Sequence, residues 1–288
     1  MKAVYFKHKW YTKYHIPHTK TGGIMEMRAA MIQMDMELGN PELNFARAEQ
    51  LARQAAHLNP DVITLPETWN VGFFPRENLK ELADRDAKRT KEVFSRLAKE
   101  LNVNIIAGSV ANLREDGGIY NTACVFDRRG ELAAQYDKVH LFSPSGEHEY
   151  FKHGSGPCNF ELDGVPCSLV ICYDIRFPEL IRSEMLAGSK VQFVVAQWPD
   201  TRQLHWDTLN RARAIESQSF LCCTNSVGSA GNTKCGGHSA VYGPMGECLV
   251  LGGEGEQILM ADMDIGAVDG VRDSINVYRD RLPEAYRL

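Results

Sequence analysis

Val165-Pro166-Cys167-Ser168-Leu169-Val170-Ile171-Cys172-Tyr173-Asp174-Ile175-Arg176-Phe177-Pro178-Glu179-Leu180 is the stretch that decides the fold. The apolar run Val165–Ile171 lacks strict alternation, as expected of a strand buried on both faces. Pro178 then opens a helix over Pro178–Ala187, since proline is tolerated in a first helical turn. Val191–Ala196 reads as the next buried strand, Leu204–Ser217 as a helix and Leu221–Thr224 as another strand. Strands alternating with helices predict an α/β architecture with helix layers over sheets.

The same logic holds upstream. Arg28–Met34 reads as a strand, Pro41–Leu58 as an amphipathic helix, and Asp61–Leu65 as a short buried strand. A helix over Ala87–Leu101 and strands over Val103–Val110, Ile119–Phe126 and Leu132–Tyr136 follow. Downstream, Ser239–Tyr242, Glu247–Leu251 and Gln257–Met263 read as sheet pieces. Gly252-Gly253-Glu254-Gly255 reads as a hairpin turn between the last two.

The 288 residues are 44% apolar and 24% charged, enough for a large core. A net charge of −5 argues against a nucleic-acid partner. Residues 1–23 carry five lysines and no acid, so removing that +5 from −5 leaves −10 for the rest. Residues 1–24 therefore read as a basic, disordered N-terminal extension ahead of a catalytic domain over 25–288, with a membrane or targeting arm as the alternative. No run approaches the roughly 20 apolar residues that span a bilayer, and the basic leader is no secretory signal. Eight cysteines without a C-x-x-C zinc pattern, and no signal peptide, predict reduced thiols in a cytoplasmic protein.

Polar residues interrupt this pattern at strand ends, where α/β sheets collect their chemistry. Glu67 follows a strand in Leu65-Pro66-Glu67-Thr68-Trp69-Asn70. Lys138 follows another in Tyr136-Asp137-Lys138-Val139-His140-Leu141-Phe142, and Cys172 ends a third. An acid, a cation and a thiol suffice for amide hydrolysis. The sulfur attacks once ionised, the acid takes its proton and hands it to the leaving nitrogen, and the cation steadies the oxyanion. The backbone N–H of Tyr173 is a second oxyanion donor. Taken singly, each has a plainer reading: a solvated loop acid, a solvated lysine, a small core cysteine.

Together, Leu65-Pro66-Glu67, Lys138-Val139-His140-Leu141-Phe142 and Cys172-Tyr173-Asp174-Ile175-Arg176-Phe177-Pro178-Glu179 resemble the signature segments of the nitrilase superfamily of carbon–nitrogen hydrolases, in the family's order. The resemblance runs from about Arg28 to near the C-terminus. It implies a four-layer α-β-β-α sandwich, with Glu67 as general base and acid, Lys138 as oxyanion stabiliser and Cys172 as nucleophile, through a thioester. It also implies a second glutamate, matched by Glu147, seven residues before Gly154, with Glu149 as the competing choice. No cofactor or metal is implied, and subunits would pair as a homodimer or larger assembly.

Cys172-Tyr173-Asp174 resembles the amidase branches rather than true nitrilases. Gln197-Trp198-Pro199, His205-Trp206, Ala212–Gln218, Gly237-His238-Ser239 and Pro244-Met245-Gly246 look like the bacterial omega-amidases, which deamidate 2-oxo acid amides. Trp198 is then a pocket wall or a core aromatic. A carboxylate-bearing substrate needs a cationic or multi-donor anchor; Arg176 and Arg202 are available, although Arg176 is expected to make a structural ion pair beside its helix instead. The alternatives are an N-carbamoyl-amide hydrolase or aliphatic amidase on the same triad, and a non-catalytic binding protein on the same fold. His148 and His153 stand at i and i+5, about 140° apart on a helix, and cannot share a zinc.

Overall fold

The computed structural model describes residues 25–286 except Phe74 and Asn232, so the basic leader lies outside the described residues. The strands in chain order are β1 (Glu26–Gln33), β2 (Val62–Thr64), β3 (Asp84–Arg85), β4 (Asn104–Leu113), β5 (Ile119–Phe126), β6 (Leu132–Asp137), β7 (Asn159–Leu162), β8 (Val165–Ile171), β9 (Val191–Ala196), β10 (Phe220–Asn225), β11 (Ser229–Ala230), β12 (Thr233–Lys234), β13 (Ala240–Tyr242), β14 (Cys248–Leu251) and β15 (Gln257–Asp264). The helices are α1 (Pro41–Ala56), α2 (Leu79–Leu82), α3 (Lys88–Leu101), α4 (Pro178–Leu186), α5 (Gln203–Ser217) and α6 (Ala267–Ser274).

Two large sheets result, ordered β15-β1-β2-β4-β5-β6, with β3 beside β4, and β14-β13-β10-β9-β8-β7, while β11 and β12 pair by themselves. In each, a parallel centre (β1-β2-β4; β8-β9-β10) is flanked by antiparallel strands. The expected α-β-β-α sandwich follows from the period-two pattern of β1. Met27, Ala29 and Met31 face the second sheet and share a core with Leu169, Ile171, Phe193 and Val195. Ala30, Ile32 and Met34 face outward onto Phe45 and Leu51 of α1 and Phe94 and Leu97 of α3. Ile181 and Met185 of α4 and Trp206 and Ala214 of α5 pack on the second sheet. The Thr64 and Thr224 hydroxyls hydrogen-bond across the middle.

Gly252–Gly255 is a correction: it is a crossover between sheets, not a hairpin turn. β14 pairs with β13 in one sheet and β15 with β1 in the other. Buried Gln33 pins this crossover with its whole amide. Its Nε2 donates to the carbonyls of Gly253 and Gly255 at 2.7 Å each, and its Oε1 accepts the Ser239 N–H at 2.9 Å. β7, the two-residue strands and α6 escaped the sequence reading because short elements carry too few residues for a period to show. No helix of the described residues is long and apolar enough to cross a membrane.

Candidate active site

Glu67 is delivered by a tight junction beyond β2. A register shift in β4 between Ile106 and Ser109 bends that strand towards the Pro66 turn. There the Ser109 N–H donates to the Pro66 carbonyl at 3.0 Å, and the Thr68 N–H donates to Ser109 Oγ at 3.0 Å. Gly108 is required in the bend: its φ is +60°, and a Cβ would lie 2.0 Å from the Pro66 oxygen. Thr68, next to Glu67, is itself held at φ +41°, a strained value for a β-branched residue. The Glu67 N–H donates to the Ala196 carbonyl at the end of β9, at 3.4 Å, so both sheets hold the acid.

Lys138 leaves the end of β6. Two antiparallel steps, β4 to β5 and β5 to β6, return β6 to the direction of β2 and β4, so Lys138 emerges at the same edge as Glu67. Its N–H donates to the Asn121 carbonyl at 2.9 Å, and its carbonyl accepts the Gly154 N–H at 2.8 Å. A Cβ on Gly154 would meet the Asp137 oxygen at 2.0 Å, which fixes glycine there. The Lys138 ammonium donates to Glu67 Oε1 at 2.8 Å and to Glu147 at 3.0 and 2.9 Å. Glu147 lies in a short 3-10 turn and is oriented by the Phe142 N–H, 2.6 Å from its Oε2. Glu149, the competing choice, is exposed outside the cluster. The His153 ring meets the Val139 carbonyl at 2.7 Å, and no three metal-ligating side chains gather among the described residues.

Cys172 follows β8 with φ +47°, outside the comfortable range for a residue with a Cβ. Such strain costs about 1–3 kcal/mol and persists only where its surroundings enforce it. Buried Asp174 does the enforcing. Its carboxylate accepts the N–H of Ile171 at 3.1 Å, the N–H of His140 at 2.8 Å and the Tyr136 hydroxyl at 2.7 Å; the His140 ring Nδ1 lies 2.9 Å away. One carboxylate thus ties the cysteine turn to the lysine segment. Cys172–Arg176 forms a 3-10 turn, and Tyr173 is its second residue. Its N–H therefore belongs to those that a helix start leaves without an intrahelical acceptor.

The charges decide the resting state. Burial alone would lower Lys138, but the carboxylates of Glu147 and then Glu67 overcome it and hold the ammonium well above its usual range. Burial, reinforced by the Glu67 carboxylate, raises the Cys172 thiol well above its own, against a smaller opposing pull from Lys138. Sulfur therefore keeps its proton at rest. A thiol in this setting becomes a nucleophile only by giving up its proton to a neighbouring base.

Glu67, Lys138, Glu147, Cys172 and Tyr173 line one cleft of about 90 Å³, walled by Trp198. Trp198 is both wall and core: it is 2% exposed, packs on Trp206 at 5.6 Å, and donates its Nε1–H to the Arg202 carbonyl at 2.8 Å. Arg176 does not make the ion pair expected of it. It lines the cleft with its guanidinium 4.8 Å from the Trp198 ring and 3.1 Å from His205 Nδ1. Arg202 lines the cleft too, 4.9 Å from the Phe142 ring. Neither arginine has a carboxylate partner among the described residues.

Two further residues of the cluster had been given no role from the sequence. Gln197 donates its backbone N–H to Glu67 Oε2 at 2.7 Å and its Nε2 to the Glu67 carbonyl at 2.9 Å. Asn121, on β5, donates its amide to both glutamates. The available signal was weak: a polar residue inside an otherwise apolar strand, needing a partner if buried.

Comparison with known proteins agrees with this geometry. Residues 28–273 match the carbon-nitrogen hydrolase family model. The chain is 40% identical to the 2-oxoglutaramate amidase of Bacillus subtilis (strain 168), over 91% of its own length and 100% of that protein's. It is 31% identical to the chloroplastic omega-amidase of Arabidopsis thaliana, over 85% and 70%. A crystal structure of a carbon-nitrogen hydrolase from Helicobacter pylori G27 superposes with a TM-score of 0.84 at 26% identity, covering 91% of this chain and 97% of that one. With the thiol, acid and ammonium converging where strand ends of the two sheets meet, the chain belongs to the carbon–nitrogen hydrolase family.

Proposed function

We propose that this protein is an omega-amidase that hydrolyses the carboxamide of a small 2-oxo acid amide and releases ammonia. One observation carries the substrate class: Arg176 and Arg202, without carboxylate partners among the described residues, line the cleft that holds Cys172. A guanidinium in a cleft suits a carboxylate, and a 2-oxo acid amide carries one at the end opposite its amide. The similarity to 2-oxoglutaramate amidase supports the same reading.

In the mechanism, Glu67 takes the Cys172 proton as sulfur attacks the amide carbon. The Lys138 ammonium and the Tyr173 N–H stabilise the oxyanion, and Glu147 holds Lys138 in place. Glu67 then returns the proton to the departing nitrogen, leaving a thioester. Water, activated by Glu67, hydrolyses it.

Ammonia release from 2-oxoglutaramate, 2-oxosuccinamate, an N-carbamoyl amino acid and a simple aliphatic amide tests this. Turnover of the oxo-acid amides, lost in Cys172→Ala, is the expected result. Turnover of the N-carbamoyl or aliphatic amide alone would sink the substrate class, and no turnover at all would favour a binding protein.

We also propose that the protein pairs with a second copy. Leu204 and Ile215 of α5 stand 75% and 49% exposed, and Met245 stands 50% exposed. Apolar side chains on one helix suit an interface. Light scattering should give the mass of two or more chains, and a monomer at micromolar concentration would refute the pairing.

A further inference from the structure

Asn121 touches both carboxylates of the cluster with its side chain and the backbone of Lys138 with its carbonyl, while fully buried itself. Its carbonyl holds the Lys138 N–H, and its Nδ2 lies 2.9 Å from Glu67 Oε1 and 3.3 Å from Glu147 Oε1. A primary amide has two N–H groups, one for each carboxylate. The lone pairs of Glu67 can then be followed atom by atom. Oε1 accepts from Lys138 Nζ at 2.8 Å and from Asn121 at 2.9 Å, which fills both of its lone pairs. Oε2 accepts the Gln197 N–H at 2.7 Å and keeps one lone pair.

We propose that Asn121 is a positioning residue: with Lys138 it closes Glu67 Oε1, and so makes Oε2 the atom that carries the proton between Cys172 and the leaving nitrogen. This deepens the amidase reading and rests on it for the acyl step. In that step the proton leaves Sγ for Oε2, the S–H electron pair becomes the S–C bond, and the carbonyl π pair moves to oxygen. On collapse Oε2 gives the proton to nitrogen as the C–N bond breaks. Without Asn121 the proton has two oxygens on which to rest, and the carboxylate has lost a donor that favours its ionised form. The ionisable groups facing Glu67 are Lys138 from the end of β6, Glu147 from its 3-10 turn, Cys172 from the end of β8 and, at longer range, Cys235 beyond β12.

The test reads Cys172 without any amide. The rate of alkylation by iodoacetamide is followed against pH by mass spectrometry of the Cys172 peptide, in wild type, Asn121→Leu and Asn121→Ser. Asn121→Leu should move the lower inflection of that profile, and the acidic limb of kcat/KM, upward. Its kcat should fall roughly 10- to 100-fold, and Asn121→Ser, which restores one donor, should recover part of both. A folded Asn121→Leu with an unmoved inflection would overturn the proposal, however low its turnover. Should Asn121→Leu not fold, the wild type with 15N-labelled asparagine decides. The Asn121 side-chain amide signals must titrate with the alkylation inflection, and signals that stay fixed overturn the proposal equally. Because alkylation needs no substrate, a wrong amide in the turnover assay leaves this result standing.

Discussion

Lys138→Met is expected to lose turnover and stability together, and a second substitution is expected to restore only one of them. Loss of an oxyanion donor costs roughly 100- to 1,000-fold in rate. The stability loss has a different origin. Lys138 is 2% exposed, and its ammonium is the cation between Glu67 and Glu147, whose side chains are 3% and 5% exposed. Removing one partner from a buried ion cluster leaves uncompensated charge and costs roughly 3–5 kcal/mol. Adding Glu147→Gln removes one of the two stranded carboxylates, so the double variant should regain much of its urea midpoint while ammonia release stays near the floor. A single variant as stable as wild type would mean that the cluster holds no fold energy. Recovered turnover in the double variant would mean that Lys138 is not the oxyanion donor.

Stability should also fall as pH rises from about 4.5 to about 8, through a group that does not line the cleft. Glu184 on α4 is fully buried, and burial, with the charge of Asp174 adding to it, pushes its carboxyl up to about 8. The Cys158 N–H at 3.2 Å and Gln192 Nε2 at 3.0 Å oppose this without cancelling it. The sign follows directly. Between the unfolded and folded values the native state holds a proton that the unfolded chain has lost, so unfolding is favoured by about 1.4 kcal/mol for each pH unit climbed. The contribution is complete below the unfolded value and gone above the folded one. Gln192 Oε1 lacks a partner in this pocket. An amide turned over would offer that oxygen to the neutral Glu184 acid. Glu184→Gln keeps the shape without the titration. It should gain on the order of 4 kcal/mol over wild type at pH 8 and little at pH 4.5, with turnover unchanged. Parallel urea-stability curves across that pH range would refute the assignment.

The sequence and the structure agree where chemistry and strand ends coincide. Glu67, Lys138 and Cys172 were legible because each stands just past an apolar run, with flanking residues that carry a family resemblance. Glu147 was legible only through its distance from Gly154, since nothing local separates it from Glu149. What separates them is burial against Lys138, a contact made by the fold. Asn121 and Gln197 were not legible, because their work is done by an amide and a backbone N–H that any strand could carry. Arg176 was misjudged because its neighbours in space, Trp198 and His205, come from a later strand end and helix. The Gly252–Gly255 crossover was read as a hairpin because glycine reports that a chain can turn, not which strand it meets afterwards.

The position of Cys172 on the sheet opposite Glu67 and Lys138 has a consequence for the life of the chain. The base and the cation belong to the first sheet, the sulfur to the second, and the last strand of the first sheet, β15, is made after both. A growing polypeptide therefore carries the parts of a hydrolase without being one. Its thiol meets its base only when the two sheets close on each other.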